Sequence, residues 1–377
     1  MADLGKFDAL DDWILIALFL AAIWVPLVRM KYGPAPIQSS ENRVLAPFPD
    51  LSFNRKSLVA FPENFGKYFN DHFGFRSDLV RWQASAKTKY LHVSSSSFVI
   101  VGKEDWLFHD FRNDASIKTN QSNEPLTKAQ LDRWRGELLA RRDWLAQRGV
   151  RFLFVVAPEK QGIYPEYLPD NLPRRDGPSR LDQLIADSKE NSGVEILDLR
   201  PFLLNAKETR QVYYKTDTHW NTLGAFVSYR AIMENVVKLF PKMKPLQESN
   251  LVSVKSRYSG DLTRMLGVYD LLSEEVVTFT VRDPLYVMRY GTPGSILVLF
   301  SDHQNPELPR LLVFGDSFGN MLAPFLSQHF GHAAYTNQNS FDPHRVETEK
   351  PNLVIEETVE RYLFDEPPPS VPGTANN

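Results

Sequence analysis

At 377 residues the chain has room for one large domain or two ordinary ones. Hydrophobic residues make up 43% and aromatics 12%, and the formal net charge is only −3, which argues against a disordered chain and against a nucleic-acid-binding surface. There is no cysteine, so disulfides, thiolate metal sites and cysteine nucleophiles are excluded while the redox compartment stays open.

Residues 13 to 28, WILIALFLAAIWVPLV, carry no charge and are framed by Asp11 and Asp12 before and by Arg29 and Lys31 after. The run is a little short of the ~20 residues of a spanning helix, but Met30 and Tyr32 extend it if Arg29 and Lys31 snorkel. No polar face interrupts it, which favours a membrane helix or uncleaved signal anchor over a buried soluble helix. The preceding segment sets Lys6 against four aspartates and no small-x-small site follows, which argues against a cleaved signal peptide. Trp13 and Trp24 suit headgroup level. The local basic residues lie C-terminal to the helix, which by the positive-inside rule keeps the large domain cytoplasmic, although long domains translocate despite such a bias.

The expected organisation is an anchor over 1–34, an extended proline-rich arm over 35–60, a catalytic-type domain over 61–364 and a disordered tail over 365–377. From Phe61 to Leu91 the spacing of Phe65, Tyr68, Phe69, His72 and Phe73 predicts a helix, with another beginning near Ser77; His72 reads as a packed residue. FVIV at 98–101 followed by GKEDWLFH reads as a strand pair with a tight turn. Thr127 to Arg148 is a helix with Leu131, Trp134, Leu138, Leu139, Trp144 and Leu145 on one stripe, and VRFLFVVAP after it is an unalternating apolar strand. The order repeats: RLDQLIADSKENS helical, VEILDLR a strand, 222–240 helical, LPRLLVFGDS a strand leading into another helix. Such alternation means an α/β layer fold with a parallel sheet, whose sites gather at the strand C-terminal ends. Residues from about 245 to 300 are β-type with little helix and read as an inserted antiparallel excursion.

Ser317 stands in Gly315-Asp316-Ser317-Phe318-Gly319, which satisfies G-x-S-x-G at a strand-to-helix turn. Such a turn raises a hydroxyl above the sheet and aims helix N–H groups at a developing oxyanion. Glycine and serine also serve there as plain turn and N-cap residues. A nucleophilic serine needs a base with an orienter. Of eight histidines, two lie two residues after an aspartate, in Asp217-Thr218-His219 and in Asp342-Pro343-His344. Extended backbone points i and i+2 the same way, so spacing alone leaves both pairs open. The second follows the serine as in α/β-hydrolases, but too little chain remains to complete that order, and Pro343 signals a turn. The first is set among Tyr213, Tyr214, Trp220 and Asn221 at the start of a helix, a binding-site composition. Lys160 and Tyr164, just after the strand 151–157, and Asn320, one turn past Ser317, are further candidates for oxyanion or substrate binding. No cluster has metal-ligand spacing and no glycine loop resembles a phosphate cradle, so neither metal nor cofactor is expected.

DTHWN followed about a hundred residues later by GDSF resembles the SGNH-hydrolase-like domain of the alginate O-acetyltransferase group, proteins that acetylate bacterial exopolysaccharides. NRVLAPFP, FGKYFNDHFGFR, GKEDWLFH, APEKQGIYPEYLP and SGDLTRMLG resemble segments of that group in the same order, over roughly residues 40 to 365. The resemblance implies a three-layer SGNH-like fold with the D-x-H pair ahead of the serine, as in a circular permutation. It implies Ser317 as nucleophile, His219 as general base and Asp217 as orienter. It further implies transfer of acetyl to a polysaccharide hydroxyl through an acetyl-serine, a multispanning membrane acyltransferase as donor, and a periplasmic domain held by the N-terminal helix at the inner membrane. One departure stands out: the alginate enzymes carry threonine where this chain has Asp316, which suits a sister branch acting on another polymer. The same triad also suits a carbohydrate acetyl esterase, and a noncatalytic scaffold or polymer-binding subunit of an export complex is the alternative from a different class.

Overall fold

The computed structural model describes residues 9–33, 45–50, 52, 54–111, 125–172, 177–269, 271–292, 297–338, 340–363 and 367–368. The expected tail lies almost wholly outside the described residues, as do residues 35–44 of the proline-rich arm, whose last residues, from Arg55, are helical. The chain divides into two units, residues 1–95 with 263–271, and residues 96–262 with 272–377.

The first unit holds three helices: α1 (Ala9–Tyr32), α2 (Arg55–His72) and α3 (Arg76–Tyr90). Within α1, Asp12–Tyr32 has a mean hydropathy of 2.2 and is almost entirely exposed, so it is long and apolar enough to cross a membrane. Asn54 caps α2 by accepting from the Ser57 N–H at 2.8 Å. The α2 aromatic stripe packs largely on itself. Phe61 and Phe65 stack at 5.7 Å, and His72 lies on the Tyr68 ring at 4.1 Å with its Nδ1 bonded to the Tyr68 carbonyl at 2.9 Å. His72 is thus a packed residue. The α/β unit begins at Ser96 rather than at residue 61, because α2 and α3 pack with α1 instead.

The second unit opens with a hairpin, β1 (Val99–Val101) against β2 (Leu107–His109), whose turn places Glu104 and Asp105 in the left-handed region. Next come α4 (Lys128–Ala146), β3 (Arg151–Ala157), the single turn α5 (Lys160–Ile163), α6 (Arg180–Asn191), β4 (Ile196–Asp198), α7 (Arg200–Lys207) and α8 (Thr222–Leu239). The chain continues through β5 (Leu251–Tyr258), α9 (Asp261–Met265), β6 (Glu274–Val281), β7 (Tyr286–Tyr290), β8 (Leu297–His303) and β9 (Arg310–Phe314). It ends in the single turns α10 (Ser317–Asn320) and α11 (Ala323–Leu326), then β10 (His332–Thr336), α12 (Pro343–Glu349) and β11 (Leu353–Val359).

Seven strands form one sheet in the order β4-β3-β11-β9-β10-β8-β7; the first five run parallel, β8 pairs antiparallel with β10, and β7 pairs antiparallel with β8. Alternate residues of the parallel strands face opposite sides, as the pleat demands. Leu153, Val155, Leu311, Val313, Leu353 and Ile355 pack against α7, α8 and the turns after Ser317. Phe154, Val156, Leu312, Phe314 and Val354 face the other way, against α4, α6 and α12. This is the helix–sheet–helix sandwich of an SGNH-like fold. The β excursion splits in two: β5 and β6 form their own antiparallel ribbon, while β7 and β8 extend the main sheet.

β10 and β11 carry no clear signal in sequence. LVIEETV reads as half-polar, yet all seven residues of β11 are buried because it runs between β3 and β9. Glu356 tolerates that position by pairing with Arg141 of α4, itself wholly buried. Removing one member of a buried pair strands the other charge. Arg141→Met is therefore expected to lower the unfolding free energy by about 3–5 kcal/mol, with much of the loss recovered in Arg141→Met/Glu356→Leu. Denaturant unfolding of the four proteins of this cycle checks it; equal loss in single and double variants contradicts it.

Candidate active site

The parallel strands end at one edge, and there two distant segments meet. The first is the loop between α7 and α8, folded back on itself by a bridge between Tyr213 and Trp220 and by the Asn221 N–H donating to the Val212 carbonyl at 2.9 Å. Asp217 and His219 sit at its tip. The second is the turn from β9 into α10, which carries Ser317 at the first helical position, exposed.

Ser317 Oγ lies 2.6 Å from His219 Nε2, and His219 Nδ1 lies 2.6 Å from Asp217 Oδ1. The Asp217 Oδ2 accepts from the Tyr258 hydroxyl at 2.7 Å and from the Asp261 N–H at 3.0 Å, and Oδ1 also takes the His219 N–H at 3.0 Å. Burial works against the Asp217 carboxylate, but the hydrogen bond and charge of His219, with the Tyr258 hydroxyl, outweigh it and hold the group well below the usual carboxylate range. Asp217 is therefore an ionised acceptor that fixes the imidazole with Nδ1–H toward itself and Nε2 free to take the serine proton. Asp217, His219 and Asp261 offer three ligand atoms within 4.8 Å of one another. Both imidazole nitrogens are already engaged, so the hydrogen-bond network accounts for the cluster.

A deeper layer holds the loop. Lys160, 1% exposed, donates from Nζ to the carbonyls of Tyr214 at 3.1 Å, Lys215 at 3.2 Å and Asp217 at 2.6 Å. The three acceptors match the three hydrogens of an ammonium. Glu274 of β6 takes the N–H groups of Lys215 at 2.9 Å and Thr216 at 2.8 Å and the Thr216 hydroxyl at 2.6 Å. Asp261 takes the Thr218 N–H at 2.8 Å and its hydroxyl at 2.5 Å. Gly260 lies so close that a Cβ there would stand 2.3 Å from the Thr216 carbonyl oxygen and 2.5 Å from the Asp217 Cβ.

Beneath Ser317 lies a second carboxyl pair. Asp316 caps α10 by accepting from the Phe318 N–H at 2.8 Å, and its other oxygen accepts from the Val359 N–H at 3.1 Å. The Asp316 N–H points at Glu357 Oε2, 3.3 Å away. Burial pushes both carboxyls up, Glu357 further because it faces Asp316. Both Asp316 oxygens are taken by backbone donors, which favours its charged form and offsets part of the burial. The glycines of G-x-S-x-G follow from this: a Cβ at Gly315 or Gly319 would stand 2.9 or 2.7 Å from Glu357 Oε2.

The structure thus brings Ser317, His219 and Asp217 together. Asp342 instead caps α12 through the His344 N–H at 2.9 Å, and that pair does not reach the serine. The other residues singled out in sequence stand behind the site. Lys160 is spent on backbone carbonyls, and the Tyr164 hydroxyl accepts from the Val212 N–H at 2.9 Å. Trp220 is fully buried with its ring 5.0 Å from that of Phe318. Asn221 caps α8, accepting from the Gly224 N–H at 2.9 Å and donating to the Gln211 carbonyl at 2.7 Å. Each holds the loop rather than facing a substrate. Asn320 is half-buried on α10, and its Oδ1 has no hydrogen-bond partner among the described residues. Sequence reasoning missed Tyr258, Glu274 and Glu357. Gly260 and Asp261 lie inside SGDLTRMLG, a segment that carried the resemblance without a role.

Burial pushes the Lys160 ammonium down to about 7, against the pull of Glu274, Asp261, Asp217 and Glu159. The unfolded chain keeps this proton up to the ordinary lysine value of 10.5, so between about 7 and 10.5 the Lys160 contribution to the unfolding free energy rises with pH. Lys160→Met is expected to lack that rise and, by leaving buried carbonyls without donors, to cost about 3 kcal/mol or more at neutral pH. Unfolding curves of both proteins at several pH values check this; equal stability and equal pH slopes contradict it.

Comparison with known proteins places the chain in a family. Residues 99–360 match the family described as SGNH hydrolase-like domain, acetyltransferase AlgX. The probable alginate O-acetylase AlgJ of Pseudomonas syringae pv. tomato is 30% identical over 176 residues, 46% of this chain and 43% of that protein. Its counterpart from Pseudomonas aeruginosa is 26% identical over 287 residues, 70% of each chain. This chain therefore spans less than half the length of the first of these relatives. The structure of Bacillus cereus PatB1 with a sulfonyl adduct superposes with a TM-score of 0.54 at 15% identity, over 72% of this chain and 97% of that one, a likeness of fold. The matched region is more than half of the chain, and the chain belongs to the family of SGNH hydrolase-like domains of the acetyltransferase AlgX.

Proposed function

We propose that this chain is a membrane-anchored O-acetyltransferase that esterifies hydroxyls of a bacterial exopolysaccharide through an acetyl-Ser317 intermediate. The observation that carries the reading is the unbroken relay from Ser317 Oγ through His219 to a buried, ionised Asp217, both links 2.6 Å. His219 Nε2 takes the serine proton as Oγ attacks the acetyl carbonyl carbon, and returns it to the leaving group when the tetrahedral adduct collapses. In the second half His219 removes the proton of a sugar hydroxyl, whose oxygen displaces Ser317, and the serine regains its proton. Ser317 occupies the first position of its helix, where the backbone N–H has no intrahelical partner, and this N–H with the Asn320 amide is suited to the oxyanion.

Two relatives are named as alginate O-acetylases, and another from Azotobacter vinelandii is named as an alginate biosynthesis protein. These names support an exopolysaccharide acceptor. A multispanning membrane acyltransferase as acetyl donor and an extracytoplasmic active site complete the reading. The apolar helix α1 would keep the domain near such a donor and raise its effective concentration. Ser317 is open to solvent, so water competes as acceptor, and hydrolysis by a carbohydrate esterase is the competing outcome.

The test is to incubate the purified chain with an activated acetyl ester and alginate oligosaccharides. Acetylated sugar is expected with the wild type, reduced by on the order of 10⁴-fold in Ser317→Ala and in Asp217→Asn. Free acetate without sugar ester means an esterase. Turnover that survives Ser317→Ala unchanged, or is absent throughout while export of the polymer needs the protein, means a scaffold.

A further inference from the structure

We infer that the first turns of α3 lie in the headgroup layer of the bilayer that α1 crosses, so that the protein is held at its membrane by an interfacial helix as well as by its anchor. This rests on the reading of α1 as a membrane helix. The last turn of α1 is tied to the turn between α2 and α3: Arg29 pairs with Asp78 at 2.7 Å, its guanidinium lies 4.3 Å from the centre of the Phe75 ring, and a Cβ at Gly74 would stand 2.4 Å from the Pro26 carbonyl oxygen. A basic residue in the last turn of a spanning helix sits at headgroup depth. Phe75 and Asp78 are therefore at that depth too. At 1.5 Å per residue, Leu79, Val80 and Trp82 lie within about 6 Å of Asp78 along the α3 axis.

These three side chains are 50%, 40% and 65% exposed. The exposed stripe continues through Ala86 to Tyr90, 73% exposed, while the buried positions of α3 are Ala84 and Thr88. A helix meant for water puts its large apolar residues inward, and this one does the reverse. Its charges fit a bilayer surface as well: Arg76, Arg81, Lys87 and Lys89 stand against a single acid, Asp78, on α3, as suits anionic headgroups. Tryptophan beside basic residues is the composition of an interfacial anchor.

The absence of cysteine makes the test direct. Leu79→Cys and Trp82→Cys are labelled with an environment-sensitive fluorophore in the full chain, beside Ile23→Cys in α1 and Lys255→Cys on the exposed face of β5. Each is reconstituted in phosphatidylcholine–phosphatidylglycerol vesicles without quencher, with a lipid quencher near the headgroup, and with one midway down the acyl chain. Positions 79 and 82 are expected to be blue-shifted and quenched most by the headgroup quencher, position 23 by the acyl-chain quencher, with position 255 unaffected. Quenching at 23 with 79 and 82 as bright as 255 overturns the inference while leaving the anchor intact. No quenching at 23 overturns the anchor and the inference together. Positions 79 and 82 open to water in vesicles but shielded in native membranes would assign the stripe to a protein partner and overturn it as well.

Discussion

Three backbone carbonyls turned inward on one buried ammonium set the geometry on which the site depends. The loop that carries Asp217 and His219 has no strand or helix of its own at its tip, so its carbonyls need donors from elsewhere, and Lys160 supplies them at Tyr214, Lys215 and Asp217. Without that cation the loop would leave polar groups buried and unsatisfied, at about 1–3 kcal/mol each. The N–H side of the loop is answered by Glu274 and Asp261. Held on both sides, the tip presents Asp217 Oδ1 and the His219 ring in one orientation. A lysine buried for structural reasons thus fixes the position of the His219 ring.

Ser317 is placed by a different constraint. β11, last in the chain, enters the middle of the sheet between β3 and β9 and brings Glu357 beneath the β9–α10 turn. A Cβ at 315 or 319 would crowd that buried carboxyl, and Asp316 above it caps the turn that raises Ser317. The two halves of the site are 98 residues apart in sequence, yet each rests on the sheet edge where parallel strands end. The antiparallel ribbon β5–β6 is joined to this edge as well, because Tyr258 and Glu274 reach the loop from it. What reads in sequence as an excursion is a brace for the loop of Asp217 and His219.

Legibility followed the range of the interactions. Ser317 was readable because a strand-to-helix turn has a local signature, and the D-x-H pairs because i and i+2 share a face. Spacing alone did not choose between Asp217–His219 and Asp342–His344; the resemblance pointed to the first, and in the structure Asp342 caps α12. Lys160 and Tyr164 were placed at the right sheet edge, but a short window does not tell a residue that faces substrate from one turned toward distant carbonyls. Glu357 and Tyr258 were invisible for the same reason. β11 was hidden because its glutamates break the apolar run, and they are tolerated through Arg141 and the Asp316 pair, both far away in sequence. The α2–α3 pair was read correctly as helices and assigned to the wrong unit, since its ties to α1 run through Arg29 and Gly74.

The most direct measurement of the central claim is intact-protein and peptide mass spectrometry after brief exposure to an activated acetyl ester, on the wild type beside His219→Ala and His344→Ala. The account predicts an acetyl group on Ser317 in the wild type and in His344→Ala, and none in His219→Ala. An unmodified Ser317 in the wild type, or an adduct that persists without His219, would contradict it.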